Sequence, residues 1–395
     1  MKQHIKVIGS GQAGNKAVIN LIEKGIIDPQ SILLLNTTLK DIPTEYHQYA
    51  IQFGNGGAAA QRSIGRNMIL GSLQNNTVQL ENFIQPDDTL CILVSSVSGG
   101  SGSGSIPILA DYLKSLGVAV MVIAFAGFED DVQSMKNTVD FFKELNDTYG
   151  LQVIDNKKFL KPAANDRNKA EQMANEELAA RVKVLLGTEI YESEHNIDDN
   201  DMKMLITTPG YCTIESVHIP NIKDVEEFDA LMQSMIDDSK SYETEKSAKR
   251  IGVIVNASEK IQASIDKSYE ILKNAYGVPM QLYQHYQNVQ DEAFINILVM
   301  GMKAPADEIK GVFAKYKKAM DQVDRAKDSF YSKELDTSDA EDETSQLSSH
   351  ITTDLNQIKA AKSNFFAKYG MKSSGAADAS KDQKTGFSNT AKQEL

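Results

Sequence analysis

The stretch Ser98-Gly99-Gly100-Ser101-Gly102-Ser103-Gly104-Ser105 stands between the apolar run Thr89-Leu90-Cys91-Ile92-Leu93-Val94 and the helical pattern Ile106-Pro107-Ile108-Leu109-Ala110-Asp111-Tyr112-Leu113. Strand, glycine–serine loop, helix is the order in which a chain builds an anion cradle. Glycines let successive N–H groups face one point, serines add hydroxyl donors, and the helix aims the positive end of its dipole at the same place. The helix is expected to open near Ile106, with Pro107 in its first turn, where a missing N–H costs nothing. A Gly/Ser run can also be a flexible linker. That reading fits less well, because this run joins a buried-type strand to a helix with no break in pattern.

The same order recurs towards the N-terminus. His4-Ile5-Lys6-Val7-Ile8 turns through Gly9-Ser10-Gly11-Gln12-Ala13-Gly14-Asn15 into a helix carrying Ala17, Val18, Leu21 and Ile22. Gly9-x-Gly11-x-x-Gly14 matches the dinucleotide fingerprint, a weak signal alone, which asks for an acidic residue at the end of the next strand. That strand, Ser31-Ile32-Leu33-Leu34-Leu35, ends instead in Asn36-Thr37-Thr38, with Asp41 a little later. A nicotinamide oxidoreductase is thereby weakened but stays open. A further loop, Gly54-Asn55-Gly56-Gly57-Ala58-Ala59-Ala60, follows Ile51-Gln52-Phe53, and Val118 to Phe125 is wholly apolar, as in a buried parallel strand. Strands alternating with helices give a doubly wound sheet, whose ligands sit at the carboxyl ends of the strands. Glycine-rich loops at those ends converge on one phosphate-rich ligand.

Beyond Asp155-Asn156 the pattern predicts a long helix from about 168 to 186, closed by Gly187, with Met173, Leu178, Val182, Leu185 and Leu186 facing a core. Met204-Leu205-Ile206-Thr207 and Tyr211-Cys212-Thr213-Ile214 read as strands, followed by a helix near 225 to 237. Strands at 251 to 255 and 293 to 300 flank a helix around 258 to 274. The expected class is α/β: a Rossmann-like parallel-sheet domain over 1–165, a central helix over 166–190, a second, smaller α/β domain over 191–303, C-terminal helices over 304–370, and a disordered tail over 371–395. The first C-terminal helix runs from Asp307 to about Ser332. A capping box, Ser338-x-x-Glu341, opens the second, in which Leu347, Ile351, Leu355, Ile358, Phe365 and Tyr369 make a stripe expected to pack on the chain's own body.

With 395 residues and 41% apolar content the chain can fill real cores. A net charge of -13 argues against direct contact with nucleic acid or an anionic membrane, which needs clustered Lys and Arg. Cys91 and Cys212 sit in apolar strands without metal-site spacing, so both are read as reduced core residues of a cytoplasmic protein, with no metal site and no apolar run of membrane-spanning length.

Gly99-Gly100-Ser101-Gly102-Ser103-Gly104 resembles the GG[ST]G[ST]G signature of the tubulin and FtsZ superfamily of filament-forming GTPases, and Gly11-Gln12-Ala13-Gly14-Asn15 is similar to the first nucleotide loop of tubulins. The resemblance continues in chain order. Asn36-Thr37-Thr38 falls where FtsZ-like proteins carry Asn-Thr-Asp, and Gly57 to Arg66, with Ala58, Ala59 and Ala60, resembles their γ-phosphate loop. Phe128-Glu129 resembles the Phe-Glu that touches the ribose; Val153-Ile154-Asp155-Asn156 resembles the Val-Ile-Pro-Asn before the central helix; Asn175-Glu176-x-Leu178 resembles the tubulin stretch whose asparagine reads guanine. His195-Asn196-Ile197-Asp198-Asp199-Asn200-Asp201-Met202-Lys203 is similar to the loop that enters the next subunit's nucleotide site. Alone, this run would read as a solvated acidic loop or a partial calcium site.

The resemblance implies GTP and GDP as ligands, with magnesium, and a site built from those loops. It implies Asp201 as the acid that positions the attacking water, Asp198 as second, and Asn196 as shaping the loop. Departures accompany it. Ala59 and Ala60 stand where FtsZ proteins have glycines, Gln133 where they have an arginine, and Ala174 where an Asp precedes the asparagine. A long terminal helix before a polar tail resembles the TubZ branch, which implies head-to-tail filaments of the chain with itself, and plasmid or phage DNA carried through a DNA-binding adaptor at the C-terminal region. The rivals are an FtsZ-like division or scaffold filament without DNA cargo, and a nucleotide-bound scaffold that does not hydrolyse.

Overall fold

Strand β1 (Ile5–Ser10) passes directly into helix α1 (Gly11–Glu23), and β2 (Ile32–Asn36) and β3 (Ala50–Gln52) follow. Helices α2 (Arg62–Asn75) and α3 (Thr77–Phe83) lead to β4 (Leu90–Ser96), α4 (Ser101–Ser115), β5 (Ala119–Ala126), α5 (Val132–Glu144) and β6 (Gly150–Asp155). Central helix α6 (Arg167–Leu185) comes next, then α7 (Asp199–Ile206), β7 (Gly210–Pro220), α8 (Val225–Asp237), β8 (Arg250–Ala257), α9 (Ile265–Tyr276), β9 (Gln281–Asn288), β10 (Glu292–Met302) and α10 (Ala306–Phe330). The computed structural model describes residues 4–75, 77–145, 147–187, 197–220, 225–257, 265–288, 292–330 and 368. The predicted second C-terminal helix, apart from Lys368, and the predicted tail lie outside them. Lys368 Nζ stands 2.6 Å from Asp111 Oδ2 on α4 of the same chain.

All the strands join one ten-stranded sheet in the order β3-β2-β1-β4-β5-β6-β7-β10-β8-β9. Only β10 runs antiparallel to its neighbours, so the sheet is mixed and mostly parallel, as the α/β pattern implied. An apolar core lies on each face: α2, α4, α5, α8 and α9 cover one, and α1, α6 and α7 cover the other. Helix α6 has 19 residues and so runs about 28 Å along its face. Asp166 caps its start by accepting from the N–H groups of Asn168 and Lys169.

Strands β7 to β10, within the span expected as a second, smaller α/β domain, continue the same sheet. The join is narrow: β6 meets β7 only at Gly150 opposite Gly210 and Leu151 opposite Tyr211. Further along β6 the residues after α8 fill the gap, with Asp155 N–H donating to Lys240 O at 2.8 Å and Tyr242 N–H to Val153 O at 3.0 Å. Beneath the seam Arg181 is wholly buried, its Nε 3.0 Å from Glu177 Oε1 and its Nη2 3.6 Å from Glu215 Oε2.

Several expectations need correction. Helix α4 opens at Ser101, because Gly104 N–H already bonds Gly100 O and the Ser103 and Ser105 hydroxyls donate to Gly99 O and Gly102 O. Five of the eight residues of the expected loop are therefore helical, and Pro107 lies in the helix interior, where it removes one backbone bond. Met204 to Ile206 are helical: Asp198 accepts from Asp201 N–H at 2.8 Å and Asp201 reaches back to Asp198 N–H, a capping box that starts a helix where Met204-Leu205-Ile206-Thr207 suggested a strand. Met173 is 36% exposed, whereas Leu178, Val182, Leu185 and Leu186 are buried as expected. Strand β9 escaped notice because Gln281-Leu282-Tyr283-Gln284-His285-Tyr286-Gln287-Asn288 is mostly polar, as an edge strand allows.

Candidate functional site

Strand β1 lies between β2 and β4, so successive crossovers leave it in opposite directions and a crevice opens at the carboxyl ends of β1 and β4. The loops leaving these strands press on one another. A Cβ on Gly102 would fall 2.6 Å from Ser10 O, and one on Gly14 would fall 2.1 Å from Val94 O, so both glycines are demanded by protein packing. The Ser10 and Ser105 hydroxyls meet at 2.6 Å, and those of Thr37 and Ser101 at 2.9 Å. By contrast, a Cβ on Gly57 or Gly99 would meet nothing within 4 Å. At those positions the bare backbone faces outward from the interlocked loops.

The loop after β3 carries Ala58, which is buried, and Ala59 and Ala60 with φ of 48° and 58°. This left-handed backbone costs an L-residue roughly 1–2 kcal/mol, and glycine adopts it freely. Asn137 of α5 holds the loop: its Nδ2 donates to Ala60 O at 2.7 Å and to Ser98 O at 2.9 Å, tying two phosphate-type loops to one side chain.

Beside these loops a cavity of about 230 Å³ lies between the ends of β4, β5 and β6 and the first turns of α6. Ala13, Glu129, Asn156 and Asn175, four of the residues singled out in the sequence, line it. Asn156 is 7% exposed and its Oδ1 has no hydrogen-bond partner among the described residues. Glu129, at φ 58°, presents a carboxylate whose side chain is 4% exposed; Lys157 Nζ stands 2.8 Å from Oε1 and Lys315 Nζ 2.7 Å from Oε2. Burial alone would raise its pKa, but the hydrogen bonds from Lys157 and Lys315 outweigh it and hold the carboxyl below its usual range.

Other expected residues stand apart from the cavity. Asn15 is buried and donates to Leu35 O at 3.1 Å, clamping α1 to β2. Asn36, 1% exposed, donates to Asp41 Oδ2 at 3.3 Å and accepts from Thr37 N–H. Gly11, at φ 72°, and exposed Gln12 open α1. Gly99, Gly100, Ser101, Gly102, Ser103 and Gly104 form the turn and first helical turn after β4. Asn196 lies outside the described residues. Asp198 and Asp201 do not line the cavity: they follow the far end of α6 and precede the start of β7, whose first residue pairs with the first residue of β6. They therefore sit at the amino-end edge of the sheet, at the opposite pole from the cavity.

Lys16 and Glu171 also line the cavity and were not foreseen. Glu171 lies one helical turn before Asn175, so an i, i+4 reading of α6 could have found it. Nothing in the local sequence marks Asn137, Lys157 or Lys315, since their roles arise where distant elements pack. The two thiols are buried and unpaired, and burial pushes both pKa values up.

Residues 4–163 match the family model described as "Tubulin/FtsZ family, GTPase domain". Among curated proteins, the chain is 29% identical over 219 residues to cell division protein FtsZ 2 of Methanocaldococcus jannaschii, covering 53% of the chain and 56% of that protein. It is 25% identical over 221 residues to cell division protein FtsZ of Rickettsia bellii, covering 53% and 46%. The chain thus spans about half the length of the curated relatives it matches. Among solved structures, CetZ2 from Haloferax volcanii, a GTPγS-bound protofilament, superposes with a TM-score of 0.65 at 18% identity, over 83% of this chain and 100% of that one. TubZ of Clostridium botulinum phage c-st gives 0.65 at 17% identity over 81% and 99%. A GTPγS-form protofilament of TubZ from Bacillus thuringiensis serovar israelensis gives 0.66 at 14% identity over 83% and 94%. Residues 4–163 are therefore similar to the GTPase domain of the tubulin/FtsZ family, and the fold of the chain is that of the tubulin-like and FtsZ-like structures.

Proposed function

We propose that the chain binds GTP between the glycine-rich loops and the cavity, joins copies of itself head to tail, and hydrolyses the nucleotide at the junction. The observation that supports this reading is that the glycine-rich loops and the cavity lie at the carboxyl ends of the parallel strands, whereas Asp198 and Asp201 precede the amino end of β7 and do not line the cavity. Stacking one copy on the next brings the acids of one subunit to the loops of its neighbour.

The residues fit a nucleotide. Gly57 and Gly99 leave room for phosphate oxygens to approach the backbone, and the start of α4 adds its dipole. Asn156 Oδ1 offers an unused acceptor to the amide or amino hydrogens of a guanine, with Asn175 beside it in the cavity wall. Glu129 can accept from a ribose hydroxyl. Among the described residues no set of three His, Cys, Asp or Glu side chains converges on one point. Magnesium bound with GTP would supply charge neutralisation at the phosphates, and the glycine-rich loops and the start of α4 would hold the phosphates beside it. Asp201, with Asp198 behind it, orients a water in line with the bond to be broken.

The filament's use is read as segregation of plasmid or phage DNA in the cytoplasm, through an adaptor bound near the C-terminal region. The acidic composition favours an adaptor over direct DNA contact, and the TubZ proteins among the structural neighbours share the fold. The FtsZ relatives favour a second reading, a division or scaffold filament without DNA cargo. Recovery of a small DNA-binding protein on immobilised polymer separates the two.

The test of the chemistry is Asp201→Ala. Light scattering with GTP and magnesium is expected to rise as for the unaltered protein, while phosphate release falls by about two orders of magnitude or more, the usual size of a lost catalytic group. Loss of assembly with hydrolysis preserved would overturn the assigned role.

A further inference from the structure

Glu129 is held by two lysines of different origin. Lys157 follows β6, within the segment that matches the family model. Lys315 lies 186 positions away on α10, beyond that segment, yet its ammonium stands 2.7 Å from Oε2. Helix α10 is seated to deliver it: α10 packs along α5, and Lys143 of α5 stands 5.9 Å from the ring centroid of Phe313, two residues before Lys315. The carboxylate so gripped lies in the cavity wall on a left-handed backbone, at a loop residue with no helix or strand of its own to set its direction.

We propose that Lys315 is a positioning residue of the nucleotide site: from α10 it fixes the Glu129 carboxylate in the orientation that receives a ribose hydroxyl of the bound nucleotide. The inference rests on the nucleotide reading above. The chemistry is simple. Each carboxylate oxygen can accept two hydrogen bonds, so a lysine on each leaves capacity for a ribose hydroxyl, and a carboxylate fixed in advance loses little rotational freedom on binding. Without Lys315 the group keeps only one tether and swings into the cavity or towards solvent. The nucleotide site therefore extends outside the amino-terminal domain and is completed by the first helix of the C-terminal region.

The ribose hydroxyls supply a readout that general damage to the protein does not mimic. Dissociation constants for GTP and for 2′,3′-dideoxy-GTP would be measured on the full chain and on Lys315→Ala, Lys315→Arg and Glu129→Gln, with melting curves as a check on folding. The unaltered protein is expected to prefer GTP. Lys315→Ala is expected to weaken GTP by about five- to tenfold, the scale of one ordinary hydrogen bond, since Lys157 still holds the carboxylate, and to leave the dideoxy nucleotide nearly unchanged. Glu129→Gln should show the same pattern, and Lys315→Arg should restore most of the preference. Equal weakening of both nucleotides would overturn the proposal and reduce Lys315 to a prop for the fold; so would unchanged or tighter GTP binding. If the unaltered protein bound neither nucleotide, the functional reading would fall first, and the proposal with it.

Discussion

At the scale of single residues, glycines in the same short loops do different work. Gly102 is required by protein packing, because its Cβ would lie 2.1 Å from Ser95 Oγ and 2.6 Å from Ser10 O; Gly99 has nothing within 4 Å. Gly102→Ala is expected to destabilise the fold by about 3 kcal/mol or more, as overpacking at a tight backbone contact does. Gly99→Ala should change stability by less than about 1 kcal/mol and instead weaken nucleotide binding. Urea melts beside a binding titration distinguish them, and the reverse pattern would refute the assignment. The glycine-rich motifs were legible in the sequence; which glycine serves the fold and which the ligand was not, since that depends on what lies opposite each one. His285 makes a second residue-scale case. It is 2% exposed on β9, neither ring nitrogen has a hydrogen-bond partner, and burial lowers its pKa from 6.5 to about 4. The unfolded chain takes up this proton near pH 6.5 and the folded chain only near 4, so stability present above 6.5 is lost as pH falls between these values, by about 1–3 kcal/mol. Urea melts at pH 7 and pH 5 should show the loss, and His285→Leu should flatten it.

At the scale of elements, alternation of apolar strands and helices was enough to place the parallel half of the sheet, and Gly187 marked the end of α6. Helix α7 was not legible because Met204-Leu205-Ile206 is a short apolar run, and the signal that decides it, the capping box Asp198-x-x-Asp201, lies in a stretch that reads as an acidic loop. The same two carboxylates cap a helix and, in the proposed polymer, face a neighbour's phosphate. The seam between β6 and β7 could not be read from local pattern, since the pair Glu177 and Arg181 on α6 meets Glu215 of β7 only once the chain is folded. Arg181→Met is expected to cost about 3–5 kcal/mol, because it leaves Glu215 buried without its counter-charge. Adding Glu215→Gln to that variant should recover part of the loss; a strictly additive double variant would show the two are not coupled.

At the scale of the whole molecule, the sheet separates two functions by its length. The loops and cavity collect at the carboxyl ends of β1, β4, β5 and β6, while Asp198 and Asp201 precede the amino end of β7 and do not line the cavity, which is why the proposed reaction needs a second copy. The sequence motifs pointed to both sets of residues; their placement along the sheet follows from the strand directions. The measurement that bears most directly on this is the rate of phosphate release from GTP as protein concentration rises through the onset of light scattering. A site completed by a neighbour predicts almost no release below a threshold concentration and a linear rise above it, with threshold and onset of scattering coinciding. A rate strictly proportional to protein concentration from zero, with no break at assembly, would contradict it.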